Sequence, residues 1–279
     1  DVLVPTVTDH IDAEMIANAP DRLRMIASFG AGVDHIDLAA ARAKKIIVTN
    51  TPGVFTEDTA DMTMALILSV PRRLSEGEKL MRSGQWEGWK PSGMLGHCIG
   101  GKKLGIFGMG RIGQAVARRA SGFGMSIVYH NRRQLPPAVE ETLRASYVAD
   151  LEQLIRECDI ISLHCPHTAE THEMINAERI SQMKPSTYLI NTARGDLVDE
   201  DALINALENQ RIGGAGLDVY QREPDIDPRF LQLKNTVLLP HMGSATFEGR
   251  EASGERVITN IRVWADGHRP PDQVLDGWV

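Results

Sequence analysis

The sequence predicts an α/β protein built on a doubly wound parallel sheet, and three observations predict it. From residue 102 onward, short apolar runs bounded by turns alternate with helical patterns. Those runs are nearly continuous in apolar residues, as expected of strands covered by helices on both faces. One of them, KKLGIFG, leads directly into GMGRIG and a helical stretch, the strand–turn–helix context of a phosphate cradle.

In chain order, DVLVPT is a strand-like run ahead of a helical stretch near 11–18. RMIASF reads as a second strand, DLAAARAKK as a helix and IIVTN as a third strand. Residues 57–82 read as one long helix with Thr56 or Glu57 near its cap. SGQWEGWKPSGMLGHCIGG is rich in Gly and irregular. KLGIFG, SIVYH, DIISLHC, TYLINTA, GAGLDVY and NTVLLPH then read as strands. IGQAVARRASGF, LEQLIREC, AERISQM and DEDALINALENQ are the helices between them, and an amphipathic helix spans about 247–266. The expected division is a dinucleotide-binding domain at 54–244, with 1–53 and 245–279 forming a second, smaller unit.

A chain of 279 residues with 42% hydrophobic and 24% charged residues has an ordinary globular composition. Its net charge of −7 argues against nucleic acid or an anionic membrane as partner. The longest apolar run, MTMALILSV, is too short to span a bilayer, and no signal peptide is evident. Three cysteines without CxxC spacing fit a reducing cytoplasm better than a disulfide scaffold. The chain begins at Asp1, directly on an apolar run, as though an N-terminal piece lay ahead of it.

Gly108, Gly110 and Gly113 form GxGxxG. The first makes the tight turn, the second admits the pyrophosphate and the third lets helix and strand pack. About 20 residues on, an NAD site places an acid for the ribose 2′-hydroxyl. Here the chain reads His130, Asn131, Arg132, Arg133. A carboxylate would repel a 2′-phosphate, whereas two Arg and an Asn bind one. The alternative is a solvated basic turn. The expectation is NADP(H), with NAD(H) possible.

Three stretches fall at the C-terminal ends of predicted strands, where such sheets place ligands. They are NTARGD with Arg194, GLDVYQREP with Asp218 and Glu223, and LLPHMGSAT with His241. Arg clamps a carboxylate–carbonyl pair, His donates a proton, and a nearby Glu favours the imidazolium. Taken alone, a His after a strand is usually structural or exposed and an Arg in a turn is usually a surface charge.

Together with IASFGAGVDHIDL and VTNTPGVFTEDTADMTMALIL, these motifs resemble the D-isomer-specific 2-hydroxyacid dehydrogenase family over nearly the whole chain. The resemblance implies a Rossmann-type cofactor domain and a smaller flavodoxin-like substrate domain. It implies that Arg194, Glu223 and His241 are the catalytic residues. Gly108, Gly110, Arg111, Ile112 and Gly113 fall on the pyrophosphate loop, and Cys165, Pro166 and Thr171 on the adenine side. Thr192, Ala193, Asp218 and Gly243 fall near the nicotinamide and ribose, with Asp218 holding the carboxamide. Ala31 and Gly32 match the backbone donors for the substrate carboxylate, alongside Arg194 and His241.

GQWEGWKP and the Arg-containing turn look most like glyoxylate/hydroxypyruvate reductases, acting on small 2-oxo acids as homodimers. Trp86 and Trp89 either narrow the pocket or merely pack. The family pattern carries a further strand and helix, on the order of 40 residues, ahead of DVLVPT. Their absence here reads as a truncated chain or a remodelled small domain. Two alternatives share the fold: a reductase of bulkier 2-oxo acids, and a dinucleotide-sensing corepressor. His164, His167 and His172 sit on a loop that does not read as a metal site, and no cysteine has the partners of a nucleophile.

Overall fold

The computed structural model describes residues 1–275. The chain forms two compact units, Asp1–Asp58 with the segment from Ser244 onward, and Thr59–Gly243. The divisions thus fall at 58/59 and 243/244, against the 53/54 and 244/245 read from sequence.

The smaller unit opens with β1 (Val2–Leu3), α1 (Ala13–Asn18), β2 (Met25–Ala27), α2 (Leu38–Ala43) and β3 (Ile47–Thr49). The strands form a parallel sheet in the order β1-β2-β3. Asp12 and Asp37 cap the two helices by accepting from Met15 N–H and Ala40 N–H at 2.8 Å each. Ile16, Ile26, Ile36, Ala41 and Val48 form its core.

α3 (Thr56–Ser69) and α4 (Leu74–Arg82) replace the single helix expected over 57–82. The break has a physical cause. Pro71 has no N–H to continue the helical ladder, and Arg73 enters α4 from a left-handed conformation with φ of +56°. Residues 83–101 contain no helix or strand, as their Gly content indicated.

The larger unit continues with β4 (Lys103–Phe107), α5 (Arg111–Gly122), β5 (Ser126–His130), α6 (Pro137–Leu143), β6 (Ala145–Tyr147), α7 (Leu151–Glu157) and β7 (Ile160–Leu163). It closes with α8 (Ala177–Gln182), β8 (Tyr188–Asn191), α9 (Glu200–Glu208), β9 (Gly214–Leu217) and β10 (Thr236–Leu238). All seven strands are parallel, in the order β10-β9-β8-β7-β4-β5-β6. Neighbouring strand residues enter different cores. Leu104, Ile106, Ile160 and Ile190 pack with α3 and α5, whereas Phe107, Ile161, Leu163 and Leu189 pack with α7, α8 and α9. This is the two-faced burial that near-continuous apolar strands require.

α10 (Phe247–Ala265) returns to the smaller unit, where Val257 packs on Met25 and Ala27. Arg256 binds both oxygens of Asp272 at 2.6 and 2.8 Å, and Asn260 donates to Asp272 Oδ2 at 3.0 Å. No helix among the described residues is long and apolar enough to cross a membrane.

Candidate active site

The strand order reverses at β4, so the loops after β4 and β7 flank the switch point where such sheets hold ligands. β4 turns at Gly108 with φ of +93°. A Cβ there would lie 2.5 Å from Cys165 N and 2.6 Å from His164 C, so both the conformation and the neighbouring loop demand glycine. Gly108 N–H donates to His130 O at 3.1 Å and Met109 N–H to Asn131 Oδ1 at 2.7 Å. α5 begins beyond the Gly110 cap, where an added Cβ meets no atom within 4 Å. First-turn amides have no intrahelical acceptor, so Arg111, Ile112 and Gly113 present N–H groups at the positive end of the helix. That open, donor-rich corner fits a pyrophosphate.

The turn directly after β5, residues 131–135, carries no carboxylate. His130 Nδ1 pairs with Val148 O at 3.0 Å, and Tyr147 O–H donates to Asn131 O at 3.2 Å. Tyr129 O–H donates to Glu140 at 2.7 Å and its oxygen accepts from Leu135 N–H at 2.8 Å. The turn is thus tied at both ends, with Arg132 and Arg133 exposed between. Asn131 spends its carbonyl oxygen on the β4 turn, which leaves the amide nitrogen as its donor.

After β7, Thr171 Oγ1 donates to Pro166 O and accepts from Thr168 N–H, both at 2.8 Å. Burial pushes the Cys165 thiol up to about 11 and that of Cys158 up to about 12, so neither is a thiolate nucleophile near neutral pH. Burial drives His164 down to about 3, leaving a neutral ring 2.8 Å from Ser162 Oγ. His167 and His172 pair at 3.2 Å. Among the described residues no three His, Cys, Asp or Glu side chains converge as a metal requires.

The loops after β8, β9 and β10 carry the residues expected to do acid–base chemistry. Asn191 ends β8, accepts from Ala193 N–H at 3.0 Å and donates to Arg194 O at 2.7 Å. Thr192 Oγ1 pairs with Thr63 Oγ1 at 2.8 Å, and Arg194 Nη1 donates to Ala193 O at 2.7 Å. Asp218 follows β9 and is only 1% exposed. Its two oxygens accept Met242 N–H at 2.8 Å and Gly243 N–H at 2.7 Å. Burial raises Asp218 above the ordinary carboxylate value, and those two bonds oppose it. They also brace His241, which holds φ of +51°.

His241 Nδ1 lies 2.6 Å from Glu223 Oε2, and Glu223 Oε1 accepts from Tyr220 N–H at 3.0 Å. Burial pushes Glu223 upward, but the bonds from His241 and Tyr220 and the charge of Arg194 hold it below its ordinary value. With Glu223 ionised, Nδ1 carries the proton and Nε2 is left for exchange. The His241 and Glu223 side chains are 33% and 29% exposed, so a small molecule can reach the pair.

Ala31 and Gly32 lie in the smaller unit, on the turn after β2, where Asn50 Nδ2 donates to Ala31 O at 2.7 Å. Asn191 and Glu200 were not singled out by sequence, since a polar residue at a strand end or in a helical first turn looks unremarkable until its burial is seen.

A glycine turn at the switch point of a doubly wound sheet, with a bonded His–Glu pair on the loops after β9 and β10, suits a nicotinamide-dependent dehydrogenase. Residues 64–243 match the NAD binding domain of D-isomer specific 2-hydroxyacid dehydrogenases. The chain is 50% identical over 278 residues to a glyoxylate reductase from Thermococcus litoralis, covering 98% of this chain and 83% of that one. A glyoxylate reductase from Paecilomyes thermophila superposes with a TM-score of 0.90 at 36% identity, over 98% of this chain and 83% of that one. The same score and identity relate it to an NADPH-dependent glyoxylate/hydroxypyruvate reductase from Sinorhizobium meliloti in complex with NADP and malonate, over 98% of this chain and 83% of that one. The chain belongs to the D-isomer specific 2-hydroxyacid dehydrogenase family and is an NAD(P)-dependent enzyme.

Proposed function

We propose that the chain reduces a small 2-oxo acid, glyoxylate or hydroxypyruvate, to the D-2-hydroxy acid with NADPH. Relatives named as glyoxylate reductases support the substrate class, and the NADP complex of the Sinorhizobium meliloti enzyme supports the coenzyme. The observation that carries the reading is the 2.6 Å contact of His241 with an ionised Glu223, within the electrostatic reach of Arg194.

A nicotinamide held by these residues would supply the hydride for the carbonyl carbon. His241 Nε2 delivers the proton to the oxygen as negative charge develops there. Glu223 fixes the ring through Nδ1 and offsets its positive charge. Arg194 orients the carboxylate and carbonyl through parallel N–H donors. Gly108, Gly110, Arg111, Ile112 and Gly113 hold the pyrophosphate, and Asn131, Arg132 and Arg133 the 2′-phosphate. Cys165, Pro166 and Thr171 line the adenine side, with Thr192, Ala193, Asp218 and Gly243 at the nicotinamide end. Trp86 and Trp89, 53% and 82% exposed, belong to the surface we assign to a second copy of the chain.

The test is steady-state reduction of glyoxylate, hydroxypyruvate, pyruvate and a bulky 2-oxo acid with each coenzyme. The expected outcome is turnover of the first two with NADPH. His241→Ala should lose on the order of 10²–10⁴ in turnover while retaining NADPH binding by fluorescence titration. Near-normal turnover would remove His241 as proton donor. Arg132→Asp with Arg133→Ala should weaken NADPH far more than NADH, and equal losses would remove the 2′-phosphate assignment.

A further inference from the structure

Glu200 occupies the first turn of α9 and is 7% exposed. Its helix does not need it as a cap, because Asp199 already accepts Ala202 N–H at 3.0 Å. A buried carboxyl is costly unless bonded, and this one accepts Gln221 N–H at 2.8 Å. The preceding amide, Tyr220 N–H, donates to Glu223. Two consecutive peptide N–H groups therefore end on two carboxylates, one of which bonds His241.

The rest of the turn is clamped to the same segment. Gln221 Nε2 donates to Val198 O at 3.0 Å. On the other side, a Cβ at Gly195 would lie 2.0 Å from Tyr220 C and 2.3 Å from Gln221 N. The Arg194 loop thus blocks one direction of movement while Glu200 holds the turn against it. Arg222, Asp227 and Asp196 are the charged groups around Glu200, and His241, Arg194 and Asp218 those around Glu223.

We propose that Glu200 is a positioning residue for the Glu223–His241 pair, acting by holding the Gln221 N–H and with it the turn that presents Tyr220 N–H to Glu223. This rests on the role of His241 proposed above. Glu200 works as a hydrogen-bond acceptor, so an amide oxygen can replace its carboxylate. Without an acceptor the turn relaxes, Glu223 loses the Tyr220 bond that helps hold its carboxyl ionised, and protonation of Glu223 begins at higher pH.

The experiment compares Glu200→Ala and Glu200→Gln with the wild-type enzyme in kcat, KM and the pH profile of 2-oxo acid reduction. Glu200→Ala should lower kcat by about tenfold with KM changed by less than about threefold, as a displaced proton donor would. Its acidic limb should move to higher pH by about half a unit. Glu200→Gln should restore both. An unchanged acidic limb in Glu200→Ala, whatever its activity, overturns the inference, as does a Glu200→Gln that behaves like the alanine variant. Should the alanine variant not fold, Glu200→Asp draws the acceptor back by one methylene and must show the same displacement in lesser degree; an unshifted limb there also overturns it. His241→Ala separates the two levels. If it keeps turnover, the acid–base reading fails; if it is inactive while the Glu200 variants keep the wild-type profile, only the role of Glu200 fails.

Discussion

At Gly195 two backbones approach more closely than any side chain allows. Gly195→Ala places its methyl against Tyr220 and Gln221, and only backbone can move to relieve it. Overpacking of this kind costs about 1–3 kcal/mol. We expect a loss of that size in denaturant unfolding, and a larger fractional loss of kcat than of coenzyme affinity. Unaltered stability and kcat would mean that the two loops are not rigidly apposed. At this scale the sequence was legible where motifs carry chemistry. Arg194, Glu223 and His241 came from strand-end positions and family resemblance, and the structure brings Glu223 and His241 to 2.6 Å. Glu200 and the bond from Met109 to Asn131 were not legible, because they join residues 21 and 22 positions apart, and Asn191 was not because its burial at a strand end leaves no mark in the sequence.

Among the elements, the strands after residue 102 other than β6 were read from apolar runs, and each of these begins and ends within its run. α6 and β6 escaped notice, since QLPPAVEETLRASYV has neither a long apolar run nor a clean period. The break between α3 and α4 was written in Pro71, overridden by the apolar pattern on either side. Caps are where element-scale energetics can be tested. Asp199→Ala removes the acceptor for Ala202 N–H and should cost about 1 kcal/mol in unfolding free energy. Arg144 leaves α6 with φ of +50°, which glycine adopts without strain. Arg144→Gly should therefore stabilise by roughly 1 kcal/mol, measured as a shift in the denaturant midpoint.

For the whole molecule, acid sensitivity has an identifiable contributor away from the active site. Asp159 precedes β7, accepting Lys103 N–H at 2.9 Å and Lys184 Nζ at 2.9 Å. Burial pushes its carboxyl upward, but these two donors outweigh burial and hold it below the ordinary value. A depressed carboxyl contributes stability above its unfolded value of about 3.9, and loses it as pH falls through the folded value. Asp159→Asn should flatten the acid side of the Tm-against-pH curve, and an unchanged slope would exclude this group. Exposed Leu74, Met81, Trp86, Trp89 and Leu95 make self-association the expectation in light scattering, with Trp89→Glu shifting the mass towards one chain.

The strand order has a practical corollary. The Arg132–Arg133 turn hangs from β5, while Arg194, Glu223 and His241 hang from β8, β9 and β10, with β4 and β7 standing between them. On the function proposed above, coenzyme choice and proton chemistry are therefore separable modules of one sheet. A graft exchanging only residues 131–135 for an acid-bearing turn should move coenzyme preference towards NADH while leaving the pH optimum where it was.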